Sequence, residues 1–293
     1  MDKVINHGIP HVGELIFESI DTPELFQCRK VSETWKVLAE NVLIKRWNGK
    51  MYEACKKGKI KVVRLLLNRC NFEDLGLNSK DDDGWSAFAW ACFNGHTSVV
   101  KLLLNYSDGN IDFNAKSNDG CTAFMEACFN GHKEVVQLLL NHSNPKIELN
   151  AKDNEGWTAF MSACQNGHKD VVQLFLNHSD GNIDFNARGM NGMTAFMWAC
   201  KNGHTHVVRL LLHFSNPNFD TNAIDDDGWT AFMFACGAGH KNIVQLFLNH
   251  SYRTINLNAS DNDGWTAFML AWGEGHKDVV KMLLESGPFR FKN

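Results

Sequence analysis

The sequence predicts an all-α solenoid of helix-turn-helix units with long inter-repeat fingers, preceded by a small three-helix segment. Three observations carry this. The segment Gly84-Trp85-Ser86-Ala87-Phe88 returns at Gly120, Gly156, Gly192, Gly228 and Gly264, each time 36 residues on. Inside every copy the apolar residues follow helical rather than alternating spacing. Residues 1–48 break the period, yet they carry helical apolar stripes of their own.

Each part of a unit has a physical reason. Thr158 (Ser86 in the first regular copy) suits a helix N-cap, accepting a bond from an otherwise orphan amide. Phe160, Ala163 and Cys164 then share one apolar face, and Gly167 ends that helix. The second helix starts near Lys169 and is expected to bury Val171, Val172, Phe175 and Leu176, with Asp170, Gln173 and Asn177 outward. Helices this short are marginal alone in water, so neighbouring pairs must stack. Regular units run 81–116, 117–152, 153–188, 189–224, 225–260 and 261–293. A divergent copy at 51–80 has Lys56, Lys57, Lys59 and Lys61, as expected of a solvated cap. The last copy puts Trp272 in the cysteine slot and ends in Pro288-Phe289-Arg290-Phe291, which predicts a cap at the other end.

From Thr158 the unit reads T-A-F-M-S-A, then Gly167-His168, then V-V-Q-L-F-L over 171–176. This resembles the ankyrin family, whose T-P-L-H-x-A opening appears here as T-A-F-M-x-A. Proline and histidine of that opening are replaced by alanine and, mostly, methionine, and the segment after the second helix is longer. The resemblance implies a protein-binding array with its target on the concave face.

Before the repeats, Val12, Leu15, Ile16, Ser19 and Ile20 form one stripe. Thr22 is expected to cap a second helix with Pro23 at its first position, and Ser32 to open a third holding Trp35, Leu38 and Ala39. This segment is similar to an F-box: L-P, I-F, a leucine, V-S-x-x-W and L-A are met by Ile9-Pro10, Ile16-Phe17, Leu25, Val31 to Trp35 and Leu38-Ala39. The resemblance implies binding to the adaptor of an SCF ubiquitin ligase through Ile9, Pro10, Ile16, Phe17, Val31 and Trp35. The alternative is a plain helical cap on an ankyrin scaffold or inhibitor with no ubiquitin link. An F-box would expose these residues, whereas a cap would bury them on the first repeat.

Other function classes find no support. A net charge of −4 argues against a binder of nucleic acid that relies on phosphate contacts. No stretch is apolar enough to span a bilayer, and the first twenty residues carry acids where a signal peptide is apolar. An intracellular protein, cytoplasmic or nuclear, is expected. Cys55, Cys92, Cys128, Cys164, Cys200 and Cys236 recur once per unit beside alanine, which reads as reduced, buried packing rather than a disulfide framework. His96, His132, His168, His204, His240 and His276 also recur singly, so a turn-bonding role is favoured over a metal array. Asp81-Asp82-Asp83 and Asp225-Asp226-Asp227 lack the spacing of a calcium loop and read as solvated finger tips. Asn78, Asn114, Asn150, Asn186, Asn222 and Asn258 read as turn ties, although such asparagines are hydroxylated in some ankyrin proteins. No nucleophile elbow, P-loop or dinucleotide fingerprint appears, so no catalytic residue, cofactor or metal is expected.

Two slots resist a purely structural account. The residue after the repeat glycine is Trp85, Cys121, Trp157, Met193, Trp229 and Trp265. A second inner-helix slot holds Trp90, Glu126, Ser162, Trp198, Phe234 and Leu270. Variation at one face of a regular array is what recognition needs, so Trp85, Trp90, Trp157, Trp198, Trp229, Phe234 and Trp265 are the candidate target-binding residues. The competing account is that these rings stack on one another and stiffen the array.

Overall fold

A computed structural model describes residues 18, 20–47, 49–70, 72–106, 111–142, 147–178, 183–214, 216, 218–249 and 255–286. The chain divides into two compact units, Met1–Asp112 and Phe113–Asn293.

Among its described residues the first unit has α1 (Thr22–Cys28) and α2 (Glu33–Trp47), and Val12, Leu15, Ile16 and Ser19 of the first predicted stripe lie outside them. Asp21, in extended backbone, takes the N-cap position of α1 without a side-chain cap bond, so Thr22 is already helical and Pro23 follows it rather than leading the helix. Both positions lie in the first turn, where the missing proline N–H costs nothing. At the start of α2 Ser32 Oγ accepts from the Trp35 amide at 3.2 Å, as its sequence position predicts. The repeat helices follow as α3 (Met51–Lys56) and α4 (Ile60–Arg69), a short α5 (Phe72–Leu75), then α6 (Ala87–Phe93) and α7 (Thr97–Leu104). Leu25, Ala39, Val42 and Leu43 form a core with Leu65 of α4, so α1 and α2 are seated on the first repeat pair. One charged group enters this junction. Glu40, 3% exposed, receives Arg29 on one carboxylate oxygen and Arg69 of α4 on the other, the latter at 2.8 Å.

The second unit repeats one hairpin of helices. Inner helices are α8 (Ala123–Phe129), α10 (Ala159–Gln165), α12 (Ala195–Lys201), α14 (Ala231–Gly237) and α16 (Ala267–Gly273). Outer helices are α9 (Lys133–Leu140), α11 (Lys169–Asn177), α13 (Thr205–Leu212), α15 (Lys241–Asn249) and α17 (Lys277–Glu285). Each inner helix packs on the next inner helix and each outer helix on the next outer one. The threonine caps are present: Thr122, Thr158, Thr194, Thr230 and Thr266 each accept from the amide three residues on. Phe124, Phe160, Phe196 and Phe232 are fully buried between the layers. Where the outer helix carries phenylalanine, its ring lies between successive inner ones: Phe175 is 5.6 Å from Phe124 and 5.3 Å from Phe160. Leu176, expected in this core, is only half-buried because the helix turns it toward the outer edge.

The histidines and glycines of the G-H pairs work across repeats. His168, His204, His240 and His276 each place Nε2 2.6–2.9 Å from a carbonyl at the end of the preceding inner helix. The glycine makes this approach possible. A Cβ on Gly131 would stand 2.5 Å from His168 Nδ1, and its φ of +71° already disfavours any other residue. Successive fingers are tied the same way. Asn114, Asn150, Asn186 and Asn222 each accept from a backbone amide 34 residues on. Lys116, Lys152 and Arg188 each donate to the carbonyl of the residue 36 further along. The asparagine tie is therefore between turns rather than within one.

The repeat cysteines are reduced thiols, and all are buried. Burial pushes the Cys55 thiol up to about 12 and holds Cys164 and Cys200 above the ordinary thiol range. Since the thiolate is the reacting species, Ellman's reagent should label Cys128, Cys164 and Cys200 slowly in native protein and rapidly after denaturation. Rapid native labelling of all three would contradict their position. Cys164→Ser should destabilise by about 1–3 kcal/mol, the cost of a buried hydroxyl without a partner.

Candidate functional site

The candidate residues fall on two surfaces. On the first, the adaptor candidates Ile9, Pro10, Ile16 and Phe17 lie outside the described residues. Val31 is 57% exposed at the turn between α1 and α2, and Val37, which the motif does not include, is 52% exposed on α2. Trp35 is half-buried against the core of α1, α2 and Leu65.

The second surface is the inner-helix face, where the finger turns meet the aromatic slots. In three fingers of the second unit an aspartate builds the turn. Asp153 Oδ1 accepts from the Glu155 and Trp157 amides, Asp225 from Asp227 and Trp229, and Asp261 from Asp263 and Trp265. The following glycine closes the turn at positive φ, +85° for Gly156. The slot tryptophan is thus aimed by a carboxylate four residues before it. Asp225 was expected to be a solvated tip, but it is 6% exposed, because only the later residues of the finger reach solvent. Burial raises its carboxyl above the usual aspartate value despite the two amide bonds. A raised folded-state pKa favours the protonated form, so its contribution is present at acid pH and lost as pH rises through that pKa. Asp225→Asn keeps the Oδ1 acceptor and removes the buried charge. It should leave neutral-pH stability unchanged or slightly higher, whereas Asp225→Ala should lose about 1 kcal/mol or more with the turn. Thermal melts of both variants at pH 7 test this, and a large loss in Asp225→Asn would contradict it.

The aromatic residues gather in three places. In the first unit Trp85 and Trp90 lie 5.4 Å apart, both edge-on to Phe93. Trp90 donates to Asp81 at 2.7 Å, and Lys56 lies 3.5 Å over its ring. Lys56, read from sequence as a solvated cap residue, is therefore laid on an aromatic face. In the second unit Trp157 and Trp198 stack at 4.7 Å across adjacent repeats. The buried Trp198 N–H finds no partner among the described residues, so ring contacts hold this side chain. Trp229 and Phe234 meet at 5.0 Å and, with Trp265, line a groove of about 830 Å³ whose walls carry Asp227, Asp263 and Glu274. Trp157 instead borders a smaller pocket with Cys121, Glu126 and Asp153. Burial pushes the Cys121 thiol there up to about 12 and raises Glu126 as well, which makes Cys121 a poor nucleophile.

One exposed face has no counterpart in the motif reading. Trp272 is 67% exposed and stands with Trp265, Phe268, Met269 and Leu284 around an apolar depression. Trp272, in the cysteine slot of the last copy, points outward. The Pro288 to Phe291 segment of the expected cap lies outside the described residues.

A family model of ankyrin repeats matches this chain three times, over residues 51–153, 146–223 and 213–290. The chain belongs to the ankyrin-repeat family. A model of the F-box domain matches residues 10–47 of this ankyrin protein. Both are adaptor or binding modules rather than catalytic ones. Among curated proteins, Osteoclast-stimulating factor 1 of Monopterus albus is 42% identical over 55 residues, 19% of this chain and 24% of that protein. The match therefore spans about a quarter of that relative's length. Among the described residues no helix is long and apolar enough to cross a membrane. Among them, too, no group of three or more His, Cys, Asp or Glu is arranged to hold a metal ion.

Proposed function

We propose that this protein is a non-enzymatic substrate receptor of an SCF-type ubiquitin ligase. The F-box-like segment 9–47 engages the adaptor, and the repeats, 51–80 and 81–293, hold the target on their inner-helix face. The observation that carries this is the joining of an F-box domain, matched at 10–47, to an ankyrin array in one chain. Exposed Val31 and Val37 supply apolar surface on the F-box side. The aromatic slots beside finger carboxylates supply the other, since tryptophan is enriched at binding hot spots. Half-buried Trp35 favours the rival reading, an N-terminal cap on a scaffold with no ubiquitin link. Affinity purification of the tagged chain from cells, followed by mass spectrometry, separates the two. An adaptor recovered together with other ligase subunits is the expected result. Recovery of repeat-bound proteins without any adaptor would leave the scaffold reading.

A further inference from the structure

One slot on the inner helices is used in two ways. It is the residue after the repeat cysteine, the last of each inner helix, and in α10, α12, α14 and α16 it is Gln165, Lys201, Gly237 and Gly273. Lys201 lays its ammonium 4.9 Å from the Trp198 ring centre and 5.4 Å from that of Phe234. Lys56 does the same to Trp90 in the first unit. Wherever a lysine stands in this slot, it finds an aromatic face.

At Gly237 and Gly273 the chain supplies no such cation. Sterics do not demand glycine there. A Cβ on Gly237 would meet the Trp229 ring at 3.5 Å and Leu270 at 3.7 Å, and one on Gly273 would meet Trp265 at 3.7 Å, all ordinary contacts. Neither position has a positive φ, and both are helical, where glycine is a poor choice. A groove lies over Trp229, Phe234 and Trp265, with Lys201 at its Phe234 end and the two glycines beside the tryptophans. Its carboxylates are of two kinds. Asp225 and Asp261 are committed to backbone amides. Asp227, Asp263 and Glu274 have no ion-pair partner within 4 Å among the described residues.

We propose that this groove seats a lysine or arginine side chain of the bound protein, flanked by an apolar residue, in the place Lys201 takes one repeat earlier. Cation over ring and carboxylate at the rim are complementary to that one chemistry, and the rings beside them take the apolar neighbour. The inference rests on the reading of the repeats as the target-binding half.

Gly237→Lys tests it by letting the chain fill its own seat. A random twelve-residue peptide library is selected on the full chain, and the enriched peptides are titrated against wild type and variants. Enriched peptides should carry Lys or Arg beside an apolar residue. Their affinity should fall at least tenfold in Gly237→Lys, stay within about twofold in Gly237→Ala, and weaken with added salt. Circular dichroism confirms the fold of each variant. Should Gly237→Lys fail to fold, the double change Asp227→Asn with Asp263→Asn decides, with the same tenfold loss expected. Peptides without a cation, peptides indifferent to these changes, or no enrichment would overturn the proposal. Peptides lost instead in Trp157→Ala would keep the repeats as the binding half and remove this groove. Adaptor binding, measured on the same proteins, reports separately on the ligase reading.

Discussion

Glu40→Ala should destabilise the first unit by about 3 kcal/mol, an effect larger than any single surface charge in the chain would give. Its carboxylate is buried between α1, α2 and α4, and its two oxygens are divided between Arg29 and Arg69. Removing it leaves two guanidinium groups without their shared carboxylate. Their partial exposure, 29% and 51%, lets water recover part of the loss, which places the value at the low end for a broken buried pair. The exposed pair of Glu33 and Lys36, three residues apart on α2, is the control. Glu33→Ala should change stability by no more than a few tenths of a kcal/mol. Chemical denaturation of the two variants checks the contrast. Equal small losses would mean that the F-box helices are not locked to the repeats through this charge. Because Arg69 belongs to the first repeat and Glu40 to the F-box segment, the same variant should loosen the junction itself. Proteolysis within α1 and α2 should accelerate before any change in the second unit.

The second large effect concerns the adaptor. Pro10, Ile16 and Phe17 replaced together by polar residues should abolish adaptor binding and leave repeat helicity intact. Apolar anchors at interface centres contribute about 2 kcal/mol or more each. Three of them correspond to about four orders of magnitude in affinity, beyond recovery by the remaining contacts. Val31→Asp, at an exposed turn, should weaken binding more mildly. A triple variant that binds undiminished would remove these residues from the interface.

The repeat itself was legible because its physics is periodic. A threonine cap, a phenylalanine two residues later and a cysteine beside alanine recur at one spacing, and each recurrence repeats the same burial. The histidines were read as turn-bonding from their single occurrence per unit, and the structure supplies their partners, carbonyls of the preceding inner helix. What the sequence hid was non-periodic. Glu40 meets residues 11 and 29 positions away, on helices whose docking no local pattern specifies. Lys56 and Lys201 look like surface charges until the next repeat places a ring beneath them. Asp225 looks like its two acidic neighbours, and only the turn geometry separates the buried carboxylate from the solvated ones. For the candidate site, the residue types were visible and their grouping was not. Trp157 stacks on Trp198, while Trp229 and Trp265 border the open groove.

Titration of purified SCF adaptor into the chain, followed by isothermal calorimetry, tests the ligase reading. That reading predicts saturable one-to-one binding by the wild type and none detectable for the Pro10, Ile16 and Phe17 variant, with both proteins equally helical. A wild type that takes up no adaptor, or a variant that binds as well as the wild type, would contradict it.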